Sequence, residues 1–598
     1  MPAPSPLAAT DGPVNLVIRS NGTKLADQYR VISLVIGKGV NKLSQARLIV
    51  ADGDMAQQQF ELSDGDALVP GAKIEIEAGY GAAATLIFAG VVVRHGLQVG
   101  GDNDSRLVIE CRHAAFPLTL ARNNANHVAT TDGDAIGAIL AAAGVDATVA
   151  TTEAVYDGLV QFYSSDWDFV LARAEANGLL VVAGDAAVTV KAPSTATEPV
   201  LTLTYGIDLQ SFEADIDART QYAEVTGVCW DPATQQVVEQ QAEPPSLGLQ
   251  GDLTAAKLAE VGGVAALRLQ TPVPLATGAL KAWAGARQMK AALARVRGTM
   301  RFQGSALALP DTTMSVAGVG TRFSGQVYVS AVEHTFADGN WYTDAEFGLA
   351  PEWTAAAGGA GGGAEAASGL LPGASGLHIG VVSKLDEDPA AQHRVQVVMP
   401  VSQNKTKGVW ARLASAYGSE TVGAFFIPEI GDEVLVGYFN NDPGNPVVLA
   451  SLYSSKRAPP YPLTADNFIK AIVTKGLLKV EFDDDKKVMT LLTPAGNTVV
   501  MSDDAKSIVM TDQNGNKVAL DEKGILLDSP FDVVIKAGGK ITHDAGANIE
   551  STAGADLKQS ALNINSNASM SLVAKGASSA ELSAAGQVTV KGAMVAIN

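Results

Sequence analysis

Cysteine is scarce in this 598-residue chain: only Cys111 and Cys229 occur, far apart and without CxxC spacing. That argues against a disulfide framework or a cysteine zinc site and leaves two buried free thiols as the expectation. No apolar run approaches the ~18 residues that a spanning helix needs. The opening MPAPSPLAATDGP has neither a basic n-region nor an apolar h-region, so no secretory signal is expected and assembly in the cytoplasm follows. Basic residues are the minority, 43 Lys and Arg against 63 Asp and Glu, for a formal net charge of −20. That balance argues against a general affinity for nucleic acid or anionic lipid. Patterns of catalysis are missing as well: there is no GxSxG elbow, HExxH helix, Walker loop or Cys/His nucleophile pattern. No enzymatic activity is expected.

What is present is mostly β texture. From Val14 to Arg112 short apolar runs such as KIEIEAGYG and LIFAGVVVRHG alternate with Gly/Asn/Asp turns, as in barrels or sandwiches. Helices interrupt it. TTDGDAIGAILAAAG offers Thr131 or Asp132 as a cap and Gly144 as a stop. In SSDWDFVLARAEANG, Ser165 with Asp168 approximates a capping box and Gly178 stands at the C′ position. Trp167, Phe169, Val170 and Ala174 fall at helical spacings and are read as core. Two further helical segments are expected between Leu253 and Val296. The second, ALKAWAGARQMKAALARVRG, carries Leu280, Trp283, Met289 or Ala292, and Val296 along one side, and its Lys/Arg residues are expected on a solvated face rather than at a phosphate site. Asp338-Gly339-Asn340 predicts a hairpin. A Gly/Ala tract, 354–376, reads as a linker. After it, about 80 residues with five short strands suit an OB-type barrel.

The last segment contains a strict period. In VVIKAGGKITHDAGANIESTAGAD, Gly538, Gly546 and Gly554 fall in steps of eight. Val533, Ile541, Ile549 and Leu557 stand five residues before these corners or their equivalent; Ile535, His543, Ser551 and Gln559 stand three before. Positions two apart in a strand face one side, so each octad supplies about two inward residues. Val534, Thr542, Glu550 and Lys558 fall between and face outward. Two inward side chains per strand cannot close an interior in one chain. Three chains winding as a triangular prism solve this and pair the bare strand edges. About 15 octads at ~4.8 Å each predict a needle roughly 70 Å long. His543, in an inward row, is the metal candidate of the chain, though an axial histidine bonded to ordered water is the plainer reading.

These residues carry a resemblance. The segments QFYSSDWDFVLARAEANGLLVV and GVWARLAS, the octad tail ending VTVKGAMVAIN, and above all the barrel motif Phe425, Phe426, Ile427, Pro428, Glu429, Gly431, Asp432 and Glu433 resemble the VgrG family of spike proteins, fusions similar to the hub and needle of contractile phage tails. The wording of the first segment is more similar to spikes of extracellular phage-tail-like particles than to most type VI secretion spikes. The resemblance implies a mainly β homotrimer with some α: two related hub β-barrels, an OB-type collar and a triangular triple-stranded β-helix. Its partners would be a hexameric Hcp-like tube protein, baseplate proteins and a PAAR-type tip protein, with a target membrane met only on puncturing. No cofactor is implied beyond a possible axial ion. The corresponding segments are 1–13 as an extension, 14–353 as hub, 354–376 as linker, 377–455 as OB collar, 456–474 as connector and 475–598 as needle. Val588, Val590, Met594, Val595 and Ile597 leave the final strand apolar and are expected to dock the tip protein. The alternatives are a type VI spike, or a β-helical polysaccharide-degrading tail spike. The second needs two facing carboxylates, yet the acids near Asp483 and Asp166 read as a hairpin turn and a helix cap.

Overall fold

The computed structural model describes residues 3–26, 29–101, 104–231, 236–243, 245, 247, 250–264, 266–271, 275–353, 374–400 and 408–597. Nearly all of the expected linker lies outside the described residues. Contacts divide the chain into two units, Met1–Leu452 and Tyr453–Asn598.

In the first unit, strict alternation builds the hub. Gln45–Ala51 buries Ala46, Leu48 and Val50, and Lys73–Tyr80 buries Ile74, Ile76 and Ala78, because alternate side chains of a strand face one side. The expected pair of barrels takes the form of one continuous 13-stranded sheet around two cores. The first core gathers Leu34, Ile74, Phe88 and Trp341. The second gathers Met300, Phe302, Val329 and Phe347. Gly325–Ala337 joins the halves by pairing antiparallel with Val31–Gly39, Ala331 opposite Gly39 and Ala337 opposite Ser33. Gly304 is required beside Trp341: a Cβ there would lie 2.1 Å from the indole ring. The predicted hairpin is present, with Asp338 at φ 51° and Gly339 at φ 76°, the backbone of a primed turn.

Four α-helices are described. In α1 (Asp132–Ala142) the Thr131 hydroxyl accepts from the Asp134 amide, and Gly144 follows at φ 69°. In α2 (Asp166–Ala176) Ser165 accepts from Asp168 N, and Gly178 follows at φ 68°. Both satisfy orphan end groups as the sequence predicts. Trp167, Phe169, Val170 and Ala174 are buried. Asp132, fully buried, ties the helices together by accepting from Arg173 Nε at 2.6 Å and Asn177 Nδ2 at 2.8 Å. The others are α3 (Ala255–Gly262) and α4 (Thr277–Leu293). The solvated face expected for the α4 segment is overturned at two cations: Lys290 and Arg295 are buried. Lys290 pairs with buried Glu175; periodicity cannot reveal a partner supplied by another helix.

The segment expected as an OB collar forms a closed five-stranded barrel of His378–Lys384, Val395–Val398, Val409–Leu413, Glu433–Tyr438 and Pro446–Ser451. Val382, Val397, Ala411, Val434 and Val436 fill it.

The second unit opens with a seven-stranded antiparallel meander of five-residue strands, from Ile469–Val473 to Gly524–Asp528. Its first strand falls inside the segment read as connector. Here the first six strands start nine or ten residues apart, and the seventh starts seven after the sixth, rather than every eight, which corrects the count of about 15 octads: hairpin pairing within the chain sets its own spacing. Beyond Asp528 the chain is extended, with bends at 538, 546, 554 and 562 and then at 569–570, 577–578, 585–586 and 593. The octad thus continues past the glycines that reveal it.

Candidate functional site

Three surfaces of the described residues stand out: the barrel motif, the meander face and the tail. In the barrel, the Glu429–Asp432 turn is self-contained. Glu429 N donates to Asp432 Oδ2 at 2.8 Å, Asp432 N returns to Glu429 O at 3.0 Å, and Gly431 takes φ 85°. Gly431 N donates to Val382 O and Val382 N to Asp432 O, so the turn is stitched to the barrel and starts the Glu433–Tyr438 strand in register. The motif's aromatic half behaves differently. Phe425 is 87% exposed and Phe426 69%, leaving two large rings in solvent.

The meander presents a second surface. Its register runs one ladder through Ile472, Val480, Leu491, Val499, Met510, Val518 and Leu527, and a neighbouring ladder through Lys470, Phe482, Met489, Met501, Ile508, Leu520 and Ile525. Fourteen positions on one face are apolar but for Lys470. Many remain open, with Phe482 40% and Ile525 77% exposed. Such a face costs solvation free energy unless something covers it. The sequence shows it only once strand register is known.

The tail is the third. Every residue from Pro530 to Ile597 is exposed, and among the described residues no strand pairing follows Asp528. Extended backbone without a ladder offers rows of free N–H and C=O groups to another chain. Val533, Ile535, Ile541, Ile549 and Leu557 make no core of their own; Ile541, among the more covered, is still 47% exposed. The corner glycines are not held in the left-handed region, and a Cβ on Gly538, Gly546 or Gly554 would meet nothing. Their use is to be tolerated at a corner, which is why Leu562 and Ala593 occupy later bends.

The Alg8 N-terminal domain family matches residues 10–338, more than half of the chain. The chain belongs to that family. Residues 378–453 match the type VI secretion system/phage-baseplate injector OB domain. The type VI secretion system spike protein VgrG1a of Pseudomonas aeruginosa is 30% identical over 91 residues, 14% of this chain and 14% of that protein. VgrG5 of the same organism is 44% identical over 54 residues, 9% of this chain and 7% of that protein. The matches therefore span a small part of these curated relatives. The 43 kDa tail protein of prophage MuSo2 from Shewanella oneidensis is similar with a TM-score of 0.43 at 11% identity, over 56% of this chain and 98% of that one. The resemblance read from the sequence, to the VgrG spike family, is borne out.

The expected tip residues are all exposed, Met594 at 88% and Ile597 at 90%. His543 lies on the exposed tail, and no group of three or more His, Cys, Asp or Glu that could hold a metal occurs among the described residues. Asp483 caps its turn by accepting from Lys486 N at 3.1 Å. Asp166 accepts from Gln161 and Asn123 beside the start of α2. The two acids serve local structure, in separate units.

Proposed function

We propose that this chain is the central spike of a contractile injection machine, working as a homotrimer that links a hexameric Hcp-like tube and baseplate to a tip protein and pierces the target envelope. The observation that carries the proposal is the unpaired, octad-bent tail following an apolar sheet face, in a chain whose barrel matches the injector OB domain. Three copies would bury the meander faces against one another and complete each tail's ladder with its two neighbours. Eight bends at ~4.8 Å per octad give the prism about 40 Å of length. Backbone bonds between chains, shared along its whole length, would resist buckling under axial load. Acidic surface residues keep the particle soluble before firing.

The work is mechanical, with no catalytic step in this polypeptide. Val588, Val590, Met594, Val595 and Ile597 would seat a PAAR-type tip, and three copies of His543 would meet near the axis around water or an ion. The matched relatives, type VI secretion spikes, support the type VI version of this reading. Release as an extracellular particle is the other version, and intact particles in cell-free culture supernatant would establish it. The mass of the purified assembly tests the core of the proposal. Three chains of 61.6 kDa predict about 185 kDa by light scattering; a stable monomer would sink it.

A further inference from the structure

Arg295 lies in the short link between α4 and the Val296–Gln303 strand, and it is only 7% exposed. Its Nη1 donates to the Leu253 carbonyl. The residue borders a cavity of about 160 Å³ also lined by Thr195, Gln250, Gln326 and Tyr328. Among the described residues no carboxylate pairs with it; Glu198, near the cavity-lining Thr195, is exposed, and three other nearby acids are committed elsewhere. Asp217 pairs with Arg219, Asp252 with Arg322, and Asp311 with Lys191 and the Tyr328 hydroxyl. Residues 244–251 include no acid in the sequence. Burial pulls the guanidinium's pKa down with no acid opposing the shift. Arginine nevertheless stays protonated in proteins, so a positive charge is held out of water without a counter-charge.

We propose that this cavity is a binding site for one small tetrahedral oxyanion, of the inorganic phosphate or sulfate kind, held by Arg295 with Gln250. A guanidinium has five N–H donors in a planar fork that matches two oxygens of such an anion, and among the described residues only one carbonyl is bonded to it. Gln250 Nε2 donates to the Phe323 carbonyl at 3.0 Å, and among the described residues the second N–H of that amide has no acceptor. The volume suits one oxyanion with a water or two, since a water occupies about 30 Å³. The chain's net charge of −20 would repel anions in general, so the selectivity is local to the buried cation. Bound there, the anion would fasten three segments: the link after α4, the loop in which Gln250 bridges Gly325, and the Gly325–Ala337 strand.

The test uses the full chain. Sodium phosphate, sulfate and acetate are titrated at constant ionic strength against chloride, followed by calorimetry and by the thermal unfolding midpoint. The expected result is one phosphate or sulfate per chain with a raised midpoint. Binding should be weaker by at least about tenfold in Arg295→Gln, as loss of a charge-assisted hydrogen bond implies, and unchanged in Arg106→Gln, which removes a surface guanidinium. Binding retained in Arg295→Gln overturns the proposal. So does a response to acetate alone, which would mark a carboxylate contributed by another chain. If Arg295→Gln does not fold, the wild-type titration decides, because absence of oxyanion-specific binding overturns the site by itself.

Discussion

Three buried groups of the first unit, two histidines and a cysteine, have chemistry that follows from where they sit. His334 has no exposed surface; its Nδ1 lies 3.0 Å from the Thr343 hydroxyl and its ring lies beside Trp341. Burial, helped by the positive Lys38, lowers its pKa from 6.5 to about 3. Between those values the unfolded chain binds a proton that the folded chain refuses, so stability rises with pH and is lost as pH falls from about 6.5 toward 3. His113, lowered chiefly by burial, acts with the same sign. Urea unfolding between pH 7 and pH 4.5 should show a loss of about 1.4 kcal/mol per pH unit from His334 well below 6.5. His334→Gln should remove its share, and an unchanged slope would contradict the assignment. Cys111 is the other case, with its thiol pushed up to about 12 by burial. Only the thiolate reacts, so iodoacetamide should leave Cys111 unmodified in the native protein at pH 8 and label it after denaturation. Neither property is visible in the sequence beyond the residue type, since each arises from atoms brought in by distant strands.

At the scale of elements, the features legible beforehand are those governed by a few neighbouring residues. Thr131 and Ser165 cap α1 and α2, Gly144 and Gly178 end them, and the Asp338–Gly339 turn closes its hairpin, because each satisfies backbone groups within its own turn. The octad belongs to the same class, a local rhythm of strand and corner. Its consequence is testable at Ile541 and Leu557. A charge at either position should break assembly, since each copy would lose apolar burial worth about 1.5–3 kcal/mol and would place a charge in the prism. Ile541→Asp should shift the assembly toward single chains by light scattering, while Thr542→Asp, on the outward row, should not. Equal behaviour of the two variants would refute the inward assignment. The meander escaped notice as a distinct element because its five-residue strands resemble octads until hairpin pairing is known. Its apolar face emerges only from cross-strand register.

For the whole molecule, the prediction concerns its far end. Truncation after Gln587 removes all five expected docking residues while leaving most of the octad array in place. The truncated chain should still assemble but should fail to retain the PAAR-type tip protein in a pull-down; full retention would disprove docking through Val588–Ile597. The mainly β class, the barrel and the octad rhythm of the tail beyond Asp528 were determined by the sequence itself, since composition, turn chemistry and period act over short stretches of chain. Tertiary structure alone decided the rest. Ala331 sits beside Gly39 and merges the two expected barrels into one sheet. Arg295 and Lys290, expected on a solvated helix face, lie buried. The physical reason is common to both: strand pairing and burial depend on which remote segments meet, and a periodic pattern states that a face will be covered without stating by what.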